Sequence, residues 1–124
     1  MSLAEATACI SVPVQADWEL VRSQGDTQET FQLAAGVYRI DARRDVETCQ
    51  YGYTPTSYVF VLAEPMYVSS ANVCTNGAIR FYKSAPPATE VFAIHAYSTI
   101  STPGITAADL SYLENASRKF YKLK

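Results

Sequence analysis

Apolar and polar residues alternate in short runs along most of this chain, and turn formers separate the runs. A period of two is the signature of a strand with one face on a core and the other in water. Eight such runs are legible, at residues 9–14, 18–22, 30–33, 37–42, 58–63, 66–70, 78–83 and 90–98. Pro13 assigns the first to a sheet edge, because proline donates nothing to a ladder. The runs "YVFVLA" at 58–63 and "EVFAIHAYS" at 90–98 are apolar on both faces, which predicts a central strand for the first and a strand covered on both sides for the second. Between the runs stand Ser23-Gln24-Gly25-Asp26, Pro65, Asn76-Gly77 and the proline-rich 84–87. Asn76-Gly77 is the strongest two-residue hairpin signal in the chain.

The stretch "TFQLAAGVYRID" at 30–41 sets Phe31 and Leu33 on one face, breaks, and resumes with Tyr38 and Ile40. That pattern predicts a hairpin, with Gly36 supplying the positive φ of a tight loop. Arg39 and Asp41 fall on the opposite face from Tyr38 and Ile40. The long loop is expected at 41–55, "DARRDVETCQYGYTP", with Tyr58 just beyond it.

Near the C-terminus the period changes. Thr106 followed by Asp109 fits a helix capping box, and Leu110, Leu113, Ala116, Phe120 and Leu123 recur at helical spacing. The pattern predicts an amphipathic helix over about 107–121, with Arg118, Lys119, Lys122 and Lys124 at the negative end of its dipole. The expected fold is therefore mainly β: an antiparallel β-sandwich or jelly-roll-like fold of seven or eight short strands with one C-terminal helix. A small barrel is the competing arrangement. At 124 residues, one domain spanning 1–124 is expected.

Composition sharpens this picture in two places. Only 18% of residues are charged, against roughly 25% in ordinary domains, while nine are tyrosine. Such a surface is suited to burial against a neighbour. The net charge of −2 is unevenly spread, because four of the ten basic groups crowd into 118–124. An acidic body excludes a general phosphate-backbone binder. Arg118, Lys119, Lys122 and Lys124 become candidate assembly contacts with an acidic neighbouring chain. The first residues lack a cationic start and an apolar stretch, and no run approaches the roughly 18 apolar residues of a membrane span. Without a signal peptide or transmembrane segment, the expected location is the cytoplasm or a virion assembled there.

Chemistry-bearing motifs are sparse. Cys9, Cys49 and Cys74 are widely and irregularly spaced, and buried free thiols are the expectation, with a single disulfide as the alternative. His95, the one histidine, lies in an apolar strand pattern and reads as a core residue; a multi-histidine metal site is excluded. Asp41, Asp45 and Glu47 stand among Arg43 and Arg44, which predicts mutual pairing at the surface rather than acid–base work or cation binding. The five glycines stand singly, and neither G-x-S-x-G nor H-E-x-x-H occurs. No catalytic residue, metal or cofactor is expected. Asn115-Ala116-Ser117 matches a glycosylation acceptor but falls in the predicted helix. Tyr51, Tyr53 and Tyr58, in or beside the long loop, are candidate contacts for a partner or a glycan.

The segment "TFQLAAGVYRI" resembles the strand–glycine–strand hairpin of extracellular sandwich modules and of small structural proteins of tailed-phage particles. That resemblance implies a capsid-decorating or tail-associated subunit, acting through protein–protein interfaces in a homo-oligomer or larger assembly. The competing expectation is a carbohydrate- or receptor-binding module using the 41–58 loop.

Overall fold

The computed structural model describes residues 17–25, 27–44, 49, 53–74, 78–95, 102, 104–106, 108–113 and 116–124, with the backbone alone for 53–55. Among the described residues eight strands succeed one another: β1 (Trp18–Gln24), β2 (Glu29–Leu33), β3 (Gly36–Arg44), β4 (Tyr53–Leu62), β5 (Met66–Ser70), β6 (Ile79–Tyr82), β7 (Phe92–Ile94) and β8 (Ser117–Leu123). They form two antiparallel four-stranded sheets, ordered β1-β8-β3-β4 and β2-β5-β6-β7. Among the described residues β4, expected to be central, is an edge strand, because two apolar faces report cover above and below a strand and not neighbours at its sides. The expected mainly-β class holds. The strands expected at 9–14 and beyond His95, and the Asn76-Gly77 turn, lie outside the described residues. The strands that Asn76-Gly77 would join do pair, from Ser70 with Ile79 to Tyr67 with Tyr82.

Alternation builds one apolar core from both sheets. Tyr38, Ile40, Phe60, Leu62 and Phe120 from the first meet Leu33, Met66, Val68, Ile79, Phe81, Phe92 and Ile94 from the second. Aromatic rings cross the gap: Phe60 meets Phe81 edge-on at 5.2 Å, and Phe31 meets Phe120 edge-on at 5.2 Å. Tyr38 stacks on Phe60 at 5.4 Å within one sheet, and Phe81 on Phe92 at 4.3 Å within the other. Each such pair adds about 0.5–1.5 kcal/mol beyond its buried area.

The hairpin expected at 30–41 is not formed. β2 pairs with β5, whereas β3 pairs with β4 and β8, so Ala34-Ala35-Gly36 carries the chain from one sheet to the other. Both arrangements bury Leu33 and Tyr38. In a hairpin the two apolar faces lie side by side, and in this arch they face each other. The Tyr38 hydroxyl pins the crossing by donating to the Ala34 carbonyl at 2.7 Å. Gly36, at φ +156°, passes so close to β8 that a Cβ there would lie 2.7 Å from Lys122 Cε.

Among the described residues the expected C-terminal helix is not seen either. Its start is correct: Thr106 N donates to Asp109 Oδ2 at 2.8 Å, and Asp109 N to Thr106 Oγ1 at 3.3 Å. Beyond that cap the described residues form a 3-10 turn, Ala108–Leu110, and β8, which lies in the interior of a sheet between β1 and β3. Tertiary demand overrides local spacing here, because β1 and β3 would otherwise lack a common neighbour. The long loop is shorter than expected, since β3 runs to Arg44 and β4 begins at Tyr53. His95, expected in the core, is exposed at the end of β7.

Cys49 and Cys74 are joined in a disulfide, correcting the expectation of free thiols for these two, while Cys9 lies outside the described residues. Their spacing of 25 residues gives no sign of it, because the fold alone brings the β3–β4 connection onto the β5–β6 connection. The bridge sits in a small apolar cluster with Val73 and Ala116. By the chain-entropy argument, closing a loop of that length stabilises the fold by about 3–4 kcal/mol. Urea unfolding of Cys74→Ser should show a loss of that order. A loss under about 1 kcal/mol would mean the bridge adds nothing to an already restrained pair of loops.

Candidate functional site

The densest polar constellation lies on the outward face of the β1-β8-β3-β4 sheet. Arg39 and Asp41 are two residues apart on β3, so they share a face, the one opposite Tyr38 and Ile40. Register sets Asp41 between Ser57 of β4 and Lys119 of β8, and Arg39 between Val59 and Tyr121. The segment before β8 then folds back over this face and brings Thr102 and Tyr112 to it.

Asp41 is 0% exposed and accepts four hydrogen bonds. Arg39 Nε donates to Oδ1 and Nη2 to Oδ2, both at 3.0 Å; Ser57 Oγ donates to Oδ1 at 2.8 Å and the Tyr112 hydroxyl to Oδ2 at 2.9 Å. A carboxylate offers about four acceptor positions, and all are taken. With one proton on each hydroxyl, Tyr121 must donate to Tyr112 (2.7 Å) and Thr102 to Ser57 (2.8 Å). The whole chain of hydroxyls therefore points at Asp41. Such a carboxylate holds neighbours in place and has no free position for proton transfer.

What it holds is a surface. The Arg39 guanidinium, forked onto Asp41, lies 4.5 Å from the centre of the Tyr121 ring and 5.2 Å from that of Trp18. Beside them, Tyr112 is 46% exposed and Leu20 50% exposed. Hydrogen bonds and ring contacts tie Arg39, Trp18 and the two tyrosines to one another. On β1 the register shifts between Leu20 and Arg22, leaving Val21 out of the ladder and 39% exposed. A bulge of this kind disfavours strand addition at a sheet edge.

The Tyr112 hydroxyl titrates well above an ordinary tyrosine. Burial of the hydroxyl end is the main cause, followed by its bond to Tyr121 and the negative charge of Asp41. Burial also raises Tyr38. Unfolded tyrosines lose their protons near pH 10, whereas these two keep theirs longer in the folded protein. Their contribution is thus fully present below about pH 10 and is lost as pH rises beyond it. Urea midpoints should fall above pH 10, and the fall should be shallower in Tyr112→Phe. Equal slopes in wild type and variant would contradict the assignment.

The predicted contact residues are scattered. Tyr51 lies outside the described residues, and Tyr53 opens β4, described there by its backbone. Tyr58 is half-buried against the main core. The basic residues do not form a projecting tail. Arg118 is 2% exposed and reaches inward to the other sheet, donating from Nη1 to Ser70 Oγ (2.9 Å) and the Ala71 carbonyl (2.5 Å). Gln24 completes that buried link, donating to the Ser70 carbonyl at 3.1 Å and accepting from Ser70 Oγ at 2.6 Å. Lys119 donates to Ser23 Oγ at 2.7 Å, Lys122 packs beside Gly36, and Lys124 Nζ stands 4.0 Å from Asp17. The expected pairing of Asp41 with Arg43 and Arg44 is replaced by Arg39, while Arg43 Nη1 donates to the Leu113 carbonyl at 2.8 Å. Asp45 and Glu47 lie outside the described residues.

Among the described residues no group of three His, Cys, Asp or Glu side chains is placed to hold a metal ion. No helix among them is long and apolar enough to cross a membrane. The class defined by these features is a mainly-β protein with two antiparallel sheets and one rigid aromatic face. No family model matches the chain, and neither a curated protein nor a solved structure matches it.

Proposed function

We propose that the two sheets form a β-sandwich and that the protein is a non-enzymatic structural subunit, assembling through the outward face of the β1-β8-β3-β4 sheet. The observation that carries this reading is the fixed Trp18–Arg39–Tyr121 stack, bordered by exposed Leu20 and Tyr112. Tryptophan, tyrosine and arginine dominate the energetics of protein interfaces, and side chains already immobilised lose little entropy on association. The partner is a second copy of this chain or a neighbouring subunit of a larger particle.

The narrower setting, a capsid-decorating or tail-associated subunit of a virion, belongs to the same proposal. Residues 30–40, whose pattern suggests it, form an inter-sheet arch and lend it no support. The Cys49–Cys74 bridge suits a subunit that faces an oxidising exterior. Sedimentation equilibrium tests the reading. Wild type should self-associate or bind the particle, and Trp18→Ala combined with Leu20→Ser should weaken association about tenfold or more. Wild-type protein that stays monomeric and binds no particle, or association indifferent to both changes, would overturn it.

A further inference from the structure

The outward face of the opposite sheet has a different chemistry. Register aligns Gln32, Tyr67 and Tyr82 in one row across β2, β5 and β6, with Thr30, Ser69 and Arg80 in the next. Their chain neighbours Leu33, Met66, Val68, Ile79 and Phe81 are buried, so alternation turns this set outward. Tyr67 and Tyr82 are directly opposed, with β-carbons about 5 Å apart, and each ring is only half-buried. Among the described residues, neither tyrosine hydroxyl nor the Gln32 amide has a hydrogen-bond partner. Among the described residues the exposed large apolar side chains, Leu20, Val21 and Tyr112, lie elsewhere.

This is a platform two rings wide, fringed by amide, hydroxyl and guanidinium groups. Ring faces accept the C–H side of a pyranose, and the fringe meets its hydroxyls. The charge on the platform is balanced, because Arg80 is paired with Glu90. A polyanion would need a basic face, and a protein partner would want the apolar centre that the other sheet supplies. We propose that this face binds a neutral oligosaccharide, with Tyr67 and Tyr82 stacking on consecutive sugar rings and Gln32 and Arg80 orienting them.

The test is an amide-shift titration by nuclear magnetic resonance with neutral hexasaccharides: malto-, cello-, chito-, xylo- and mannohexaose. At least one should perturb amides clustered at 30–32, 67–69 and 80–82. Tyr67→Ala and Tyr82→Ala should each weaken that binding about tenfold. Should either fail to fold, Gln32→Ala, a surface change, should weaken it several-fold. Trp18→Ala combined with Leu20→Ser, on the other sheet, should leave sugar binding unchanged, so the assembly reading and this one fail separately. Absence of clustered shifts with all five sugars, or binding unaltered in the Tyr67, Tyr82 and Gln32 variants, would overturn the proposal.

Discussion

Asp41→Ala is expected to lower the unfolding free energy by about 3–5 kcal/mol, a large share of the roughly 5–15 kcal/mol that holds a domain together. The cost arises from what the carboxylate leaves behind. Arg39, whose side chain is 13% exposed, loses both bonds of its fork and remains a covered cation. Ser57 and Tyr112 lose their acceptor, and the Tyr112 hydroxyl keeps only its bond to Tyr121. Asp41→Asn keeps the shape and one acceptor oxygen, so its cost should be smaller. Urea unfolding of the three proteins decides the matter. A loss under about 1 kcal/mol for alanine would place the pair in the class of solvent-exposed ion pairs, contrary to its burial.

Deleting 117–124 should abolish folding altogether. β8 pairs along its length with β1 on one side and with β3 on the other. Removing it strips β1 of its ladder, exposes the side of β3, and takes out Phe120 and the Arg118 link to the second sheet. Far-ultraviolet circular dichroism should lose its β signal, and amide resonances should collapse to unfolded positions. Phe120→Ala, a milder form of the same injury, should cost about 3–5 kcal/mol. A truncated protein that still folds would mean that 117–124 is an appendage.

Most strand positions, β8 excepted, are legible in the sequence, because Phe31, Leu33, Tyr38, Ile40 and Phe81 alternate cleanly and a buried face permits nothing else. The assignment of strands to sheets is not. Alternation says which face of a strand is apolar, yet Leu33 and Tyr38 are buried equally well in a hairpin or an arch. β8 imitates a helix because Leu110, Leu113, Ala116, Phe120 and Leu123 have helical spacing, although only the first belongs to a helical turn. Arg118 hides the true pattern: it is polar, and it occupies an inward position on the strand. The capping residues Thr106 and Asp109 act as their spacing predicts, but a cap does not dictate how far a helix runs.

For the site, the sequence shows Arg39 and Asp41 on one strand face and nothing of Tyr112, which arrives from 71 residues further along. The carboxylates look like surface charges because charge alone does not reveal a covering segment. Trp18 and Tyr121 come together only because β1 and β8 are neighbours, which no local pattern encodes.

The site, the rigid aromatic face and both large predictions depend on residues 117–123 lying extended between β1 and β3. Nuclear Overhauser contacts from the backbone of Tyr121 test this most directly. The expected result is contact with Leu20 on one side and Arg39 on the other, with slowly exchanging amides along 118–122. Contacts between residues three and four apart within 110–121, and none from Tyr121 to either strand, would contradict it.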